Sequence, residues 1–302
     1  MNLSRPLPGF IRIEDRNGLF LVREEYKAPL EGLGLFGPAG PWVRHDGGGK
    51  GNLRAGRGRP RVLPLDGREG EHVVVRVYHH GGALRWLFRT LFLDRNRSFR
   101  ELALLERIAQ LGVPTLKVVG ALAWKVLPGL YRHALVTVQE RGARDLLTFL
   151  LEEERPRERR KVLEEAGRVV RRLHDFHVAH ADLHPGNILV TREGARRVLI
   201  IDLDQSEIRP ALDRAARVRG LARLERFLRK LSEREGLELG RMERMRFLKG
   251  YYGRFGPQAR EELALVERRL ARHLPWHRGV WAVEAFLTGK AGKGRPTNPD
   301  GS

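Results

Sequence analysis

The sequence predicts an α+β fold of two lobes, a strand-rich first half built around one helix and a helical second half. Two observations carry this expectation. Up to about Gln139 the apolar residues alternate in short runs punctuated by Gly and Pro, and only residues 98–111 repeat at helical spacing. Beyond Glu140-Arg-Gly-Ala-Arg the apolar residues fall three and four apart, as in Val162, Ala166, Val169, Val170 and Leu173.

Each element follows from its local pattern. Phe10-Ile-Arg-Ile-Glu and Gly18-Leu-Phe-Leu-Val-Arg alternate and predict one or two strands. Gly and Pro dominate residues 32–61, which contain Gly47-Gly-Gly-Lys-Gly51 and Ala55-Gly-Arg-Gly-Arg-Pro60. Strands are expected at Arg61-Val-Leu-Pro-Leu and Glu71-His-Val-Val-Val-Arg-Val-Tyr78, joined by a turn at Asp66-Gly67. Residues 82–93 read as a basic, aromatic helix or loop. In the helix at 98–111, Phe99, Leu102, Leu105 and Ile108 share a face, and Gly112 and Pro114 end it. Strands return at Leu116-Lys-Val-Val-Gly-Ala and Ala134-Leu-Val-Thr-Val-Gln139. Helices follow at 145–151 and 158–176, then short strands at Ile188-Leu-Val and Val198-Leu-Ile-Ile. Residues 210 to about 287 read as helical, with breaks near Gly236 and Gly256. The expected division is 1–140 for an N-terminal extension and strand-rich lobe, 141–287 for the helical lobe, and 288–302 for a disordered tail. No internal repeat is present.

At 302 residues the chain can bury a full core. It has no cysteine, which excludes disulfides and thiolate metal sites. The N-terminus lacks the apolar stretch of a signal peptide, and no window approaches the roughly 18 apolar residues of a membrane span. A soluble or peripheral protein is expected. Fifty-seven Lys and Arg against thirty-seven Asp and Glu leave a net charge of +20. Such an excess favours a polyanionic partner: nucleic acid, an anionic membrane face or a phosphorylated substrate. A solvated, Arg-rich surface is the plainer account of any single residue.

The chemistry concentrates in His180-Ala-Asp-Leu-His-Pro-Gly-Asn187 and, fifteen residues after Asn187, Asp202 at the end of an apolar run. Pro185 and Gly186 keep the first segment from being helical. A loop carboxylate, a carboxamide five residues on and a carboxylate at a strand end form the set that phosphoryl transfer needs. Asp182 can accept the proton of an attacking hydroxyl, while Asn187 and Asp202 can hold Mg²⁺ against ATP phosphates. The element order then reads as the two-lobed protein-kinase-like fold, with ATP in the cleft. His180 and His184 have metal-ligand spacing, yet the Pro-Gly pair opposes the helix that would align them. His180 is expected instead to be packed and to brace the loop. Glu101, at the edge of its helix's apolar stripe, can pair with a strand cation that positions ATP phosphates. The only cation in the core of that strand is Arg76, whose planar fork is no direct substitute for lysine. Gly56 and Gly58 precede a strand and can fold over the phosphates through backbone N–H groups. Residues 47–51 can do the same, or be a plain connection.

Together these motifs resemble the bacterial lipopolysaccharide kinase family, and within it the 3-deoxy-D-manno-octulosonic acid (Kdo) kinases. The matching pieces are Arg76-Val-Tyr-His-His-Gly-Gly82, Arg97-Ser-Phe-Arg-Glu101 with Leu111-Gly-Val-Pro114, His180-Ala-Asp-Leu-His-Pro-Gly-Asn187 and Ile201-Asp-Leu-Asp204, with a basic helix around Leu221-Ala-Arg-Leu-Glu-Arg-Phe-Leu-Arg-Lys. The resemblance spans roughly residues 56–286 and leaves the first forty outside. It implies a protein-kinase-like fold and transfer of the ATP γ-phosphate to a Kdo hydroxyl of the lipopolysaccharide inner core. It further implies ATP and Mg²⁺ as cofactors, Kdo–lipid A as an anionic lipid-linked substrate, and peripheral attachment at the cytoplasmic face of the inner membrane. Asp182 would be the base, and Asn187 and Asp202 the metal ligands. The metal motif reads Asp-Leu-Asp where protein kinases have Asp-Phe-Gly, and no long activation segment or Ala-Pro-Glu follows. Arg85-Trp-Leu-Phe-Arg-Thr-Leu-Phe-Leu suits a membrane interface or an ordinary core helix equally. Heptose, another small molecule or a protein are alternative acceptors, and a non-catalytic protein bound to nucleic acid is a third reading. No nucleic-acid motif is present, so no nucleic-acid partner is expected. Oligomeric state is not encoded in any of these features.

Overall fold

The computed structural model describes residues 7–37, 60–79, 90–191, 198–237 and 239–271. Gly56, Gly58, the run 47–51, most of the segment 82–93 and the chain from 272 onward, including the expected tail, lie outside the described residues.

The first half is a six-stranded antiparallel sheet. Its strands are β1 (Phe10–Asp15), β2 (Gly18–Arg23), β3 (Arg61–Pro64), β4 (His72–Val77), β5 (Val118–Leu127) and β6 (Leu130–Val138), in the order β1-β2-β5-β6-β4-β3. Strand alternation sorts side chains onto two faces. Leu19, Ala121, Ala123 and Leu135 meet Phe99, Leu102, Leu105 and Ile108 of helix α2 (Arg97–Gln110), which covers one face. On the other face Phe20, Val22, Leu122, Trp124 and Val136 bury against Tyr26, Leu30 and Leu35.

Those last three belong to a 3-10 turn at Glu24–Tyr26, helix α1 (Lys27–Gly32) and the turn after it, none of which the sequence pattern foretold. Helix α1 has six residues and no side-chain cap. An isolated helix that short is unstable in water. It persists because Tyr26 and Leu30 are almost wholly buried and because Trp124 Nε1–H donates to the Leu35 carbonyl at 3.1 Å. The N-terminal extension therefore supplies two strands and the cover of the sheet's outer face.

The second half contains β7 (Arg144–Asp145), α3 (Leu146–Glu152), α4 (Pro156–Asp175), β8 (Val178–Ala179), β9 (Ile188–Val190), β10 (Val198–Ile200), β11 (Glu207–Ile208), α5 (Arg214–Glu235), α6 (Arg241–Tyr252) and α7 (Pro257–Ala271). Asp145 caps α3 by accepting from Thr148 N–H at 2.9 Å, and Asp213 caps α5 by accepting from Ala216 N–H at 2.6 Å. Gly236, left-handed at φ 66°, ends α5 as expected. The halves are joined where Thr115 Oγ1–H donates to the Ile200 carbonyl at 2.7 Å and Ile200 N–H to the Pro114 carbonyl at 3.0 Å.

Short strands frame two loops. Strand β9 pairs with β10, and β8 pairs with β11, both antiparallel. The loop from β8 to β9 carries residues 180–187 and the loop from β10 to β11 carries 201–206, so the two are held side by side at both ends.

Helices α4 and α6 cross with their backbones in contact at two glycines. A Cβ on Gly250 would lie 1.9 Å from the Glu164 carbonyl oxygen, and one on Gly167 would lie 2.1 Å from that of Phe247. Backbone atoms cannot rotate aside, so overpacking outweighs the roughly 1 kcal/mol that alanine gains in helix propensity. Gly250→Ala is expected to lower stability by about 2 kcal/mol in denaturant titration. In the same region burial, reinforced by the Arg217 charge, depresses the His174 pKa from 6.5 to about 3. Its Nδ1 shares a hydrogen bond with the Tyr251 hydroxyl at 2.6 Å. Between those two pH values the unfolded chain binds a proton that the folded chain refuses. Stability should therefore fall as pH drops below 6.5, by up to about 1.4 kcal/mol per unit from this residue. The pH slope of unfolding should be shallower in His174→Gln.

Candidate active site

The framed loops bring together Asp182, Asn187 and Asp202, and β4 and α2 add Arg76 and Glu101. Asn187 is buried, and its Nδ2–H donates to the Asp182 carbonyl at 2.9 Å. That bond fixes the amide so that Oδ1 remains as an acceptor. Pro185–Asn187 form a single 3-10 turn, so the loop escapes α-helix but is not wholly irregular. Proline tolerates the first position of such a turn because no N–H is required of it.

Bonds across the loops fix their register. His180 Nδ1 accepts from Asp182 N–H at 3.1 Å, and its Nε2–H donates to the Ile201 carbonyl at 3.2 Å. Both ring nitrogens are thus engaged, and burial lowers the His180 pKa, as suits a neutral brace. Ile201 N–H donates to the Asn187 carbonyl at 3.0 Å, and Ala181 N–H to Ser206 Oγ at 3.0 Å. Asp202 occupies the left-handed region at φ 58°, which an Asx side chain tolerates better than most. This turn comes directly after the strand and leaves the carboxylate partly exposed beside Arg76.

Arg76 lies at the centre. Its Nη2 donates to both oxygens of Glu101 at 2.5 and 2.6 Å, and its Nη1 donates to Asp202 Oδ1 at 3.1 Å. Tyr78 O–H donates to Glu101 Oε2, and the Arg76 guanidinium lies over the Tyr78 ring. Burial is the main influence on Glu101 and raises its pKa, against the lowering by Arg76; Arg76 itself is held firmly protonated by Glu101, Tyr78 and Asp202.

Asp182 is 54% exposed and so open to a substrate. His184 Nε2 lies 3.5 Å from its Oδ2, and Arg223 Nη1 donates to its Oδ1 at 2.7 Å and to the Ala181 carbonyl. The hydrogen bond to His184 lowers its pKa below the usual carboxylate value, aided by the Arg223 charge. His184 itself stacks on Phe227, with ring centroids 4.6 Å apart, and accepts from Gly186 N–H.

Sequence reasoning missed Tyr78, Arg97, Asp204 and Arg223. Arg97 holds Asp204 through two bonds, Nε to Oδ1 at 3.1 Å and Nη2 to Oδ2 at 2.5 Å. Tyr78 could have been inferred from its place two residues after Arg76 on one strand face. Arg223 could not, because nothing local distinguishes it among the arginines of α5.

No helix among the described residues is long and apolar enough to cross a membrane. The model of the lipopolysaccharide kinase (Kdo/WaaP) family matches residues 56–251. The 3-deoxy-D-manno-octulosonic acid kinase of Actinobacillus succinogenes is 31% identical over 201 residues, covering 65% of this chain and 82% of that protein. The enzyme of the same name from Haemophilus influenzae strain 86-028NP is 31% identical over 156 residues, covering 50% of this chain and 64% of that protein. A solved structure of WaaP in complex with acyl carrier protein aligns with a TM-score of 0.49 and 23% identity over 72% of this chain and 85% of that one.

Removing one charge of a buried ion pair strands the other. Glu101→Gln keeps the shape but leaves Arg76 facing a neutral amide, and is expected to cost about 2–3 kcal/mol in chemical denaturation. An unchanged midpoint would show that Asp202 alone suffices to hold Arg76.

Proposed function

The chain belongs to the lipopolysaccharide kinase (Kdo/WaaP) family, and on that premise we propose that it transfers the γ-phosphoryl group of ATP to a Kdo hydroxyl of the lipopolysaccharide inner core. The observation that carries this reading is the pair of loops that set an exposed, ionised Asp182 beside a fixed Asn187 and an Asp202 tied to the Arg76–Glu101 pair.

In the proposed step the acceptor oxygen attacks the γ-phosphorus, the bond to the β-phosphate oxygen breaks, and ADP departs. Asp182 receives the hydroxyl proton. Its lowered pKa makes it a weak base that is always ionised near neutral pH. Weak basicity suffices in a loose transition state, where positioning and charge stabilisation do most of the catalysis. Arg76, oriented by Glu101, can reach ATP phosphates with its fork.

The residues present fit a magnesium ion. Asn187 offers its Oδ1 because its nitrogen is committed elsewhere, and Asp202 offers a partly exposed carboxylate. Two hard oxygen donors would leave room for the water and phosphate ligands that Mg²⁺ prefers. When bound, Mg²⁺ would neutralise phosphate charge.

A lipid-linked acceptor places the work at the cytoplasmic face of the inner membrane, to which the +20 charge would attract a peripheral protein.

The test is transfer of radiolabelled γ-phosphate from Mg·ATP to Kdo–lipid A, with heptosylated core and a generic protein as parallel acceptors. Label is expected on the Kdo lipid alone. Label on another acceptor would replace the substrate, and no label on any would leave a non-catalytic protein. Asp182→Ala should cut transfer by about two to four orders of magnitude while ATP still binds. Asp202→Ala should raise the Mg²⁺ concentration needed for half-maximal nucleotide binding, and an unshifted Mg²⁺ titration would remove its assignment.

A further inference from the structure

A cavity of about 440 Å³ opens against the loop that carries Asp182. Its floor includes His180, Ala181 and Leu183, and its walls carry Arg209, Arg219, Arg223, Arg226 and Arg269. Three of these come from one helix by simple periodicity. At 100° per residue, positions 219, 223 and 226 fall within about 60° of arc on α5. Arg269 joins them from α7, and Arg209 from the chain just after β11.

The charge here is only partly compensated. Arg214 pairs with Glu261, and Arg229 with Glu225 and Glu267. Glu207 is the one acidic residue lining the cavity, and it pairs with Arg209. Arg223 is spent on Asp182 and the Ala181 carbonyl. Arg219, Arg226 and Arg269 have no carboxylate within ion-pair distance among the described residues. Guanidinium groups converging on a concave, partly apolar site repel one another and raise its affinity for an oxyanion, which they can hold through bidentate bonds. Several hundred Å³ also suits a small molecule or a sugar unit.

We propose that this cavity binds an oxyanion of the acceptor and so selects an acidic sugar lipid. The inference rests on the kinase reading above and names the group that positions its substrate. Arg223 lies between Arg219 and Arg226 on the helix and touches Asp182. A carboxylate or phosphate held by Arg219 and Arg226 therefore lies within one helical turn of the residue that contacts the base, which leaves a hydroxyl on the same sugar free to face Asp182. The two sources of oxyanion are the carboxylate of the sugar and the phosphates of its lipid.

The experiment measures equilibrium binding of Kdo–lipid A, without nucleotide, to the full chain and to the double variant Arg219→Gln, Arg226→Gln. Steady-state kinetics are run in parallel. Binding is expected to weaken by about tenfold or more, with a matching rise in acceptor KM and an ATP KM within about twofold of the parent. The corresponding double lysine variant should recover part of the loss, which a folding defect would not allow. A control pair, Arg254→Gln with Arg260→Gln, removes the same charge at exposed positions outside the cavity and should leave binding near the parent value. Two modified acceptors separate the sources, one with the sugar carboxyl reduced to an alcohol and one with the lipid phosphates removed. The modification that abolishes the difference between parent and variant identifies the oxyanion. Equal binding by parent and cavity variant, or an equal loss in the control pair, overturns the proposal whether or not phosphate is transferred. Binding lost in the cavity variant from a parent that transfers no phosphate would overturn the kinase reading and keep the cavity.

Discussion

The site depends on one partly buried guanidinium. Taking Arg76 out of water costs several kcal/mol unless its donors are satisfied and its charge is met. Glu101 meets it with both oxygens, Tyr78 completes Glu101, and Asp202 takes the remaining edge. These partners come from the residue that follows β4, from α2 and from the loop after β10. The network is therefore complete only when the sheet, its helix and the loop are all in place. Arg97, one helical turn before Glu101, repeats the tie by holding Asp204 of the same loop. Helix α2 thus grips residue 204 directly through Arg97, and reaches residue 202 only through the Arg76 that Glu101 holds.

This arrangement explains an arginine at a position where a lysine is usual in kinases. A lysine presents one charged nitrogen, whereas the guanidinium gives Glu101 two bonds from Nη2 and still directs Nη1 to Asp202. It also accounts for the second carboxylate of Asp-Leu-Asp. With α5 capped at Asp213, the chain between Leu203 and that helix is short and includes only β11. The Arg97–Asp204 pair and the β8–β11 pairing give the loop local, permanent anchors. A long segment able to order and disorder is not needed to hold Asp202.

What was legible in the sequence was whatever is encoded over a few neighbouring residues. The alternation in β2 and β5, the apolar face of α2, the Gly236 stop and the loop from His180 to Asn187 all carry their reasons locally. The pairing of Arg76 with Glu101 was also legible, because a single cation in the strand and a single carboxylate at the stripe edge left few alternatives. The misses share a different cause. Helix α1 exists through burial of Tyr26 and Leu30 beneath strands a hundred residues away. Strands β8 and β11 are two residues each, below the length at which periodicity can register. Gly167 and Gly250 read as poor helix formers until the crossing of α4 and α6 shows that any larger residue would strike backbone. Arg97 and Asp204 are more than a hundred positions apart, and no spacing rule connects them.

The same distinction applies to the charge. A net charge of +20 pointed to an anionic partner but could not say where it binds. In the fold many individual cations are paired along α4, α5 and α6, in partly exposed ion pairs each worth little to stability, and the excess of +20 is what remains beyond all such pairs. The informative arginines are those left over. Arg219 and Arg226 line a cavity beside the loop of the proposed base, and Arg223 between them donates to Asp182, adding to the larger influence of His184 on its ionisation. An anion bound there would draw on the same cluster that holds Asp182, so under the proposed function acceptor recognition and the state of the base would be coupled through about two turns of α5. Such a coupling would give the helix a reason to present arginine at 219, 223 and 226 together, where stability alone would favour pairing them with carboxylates.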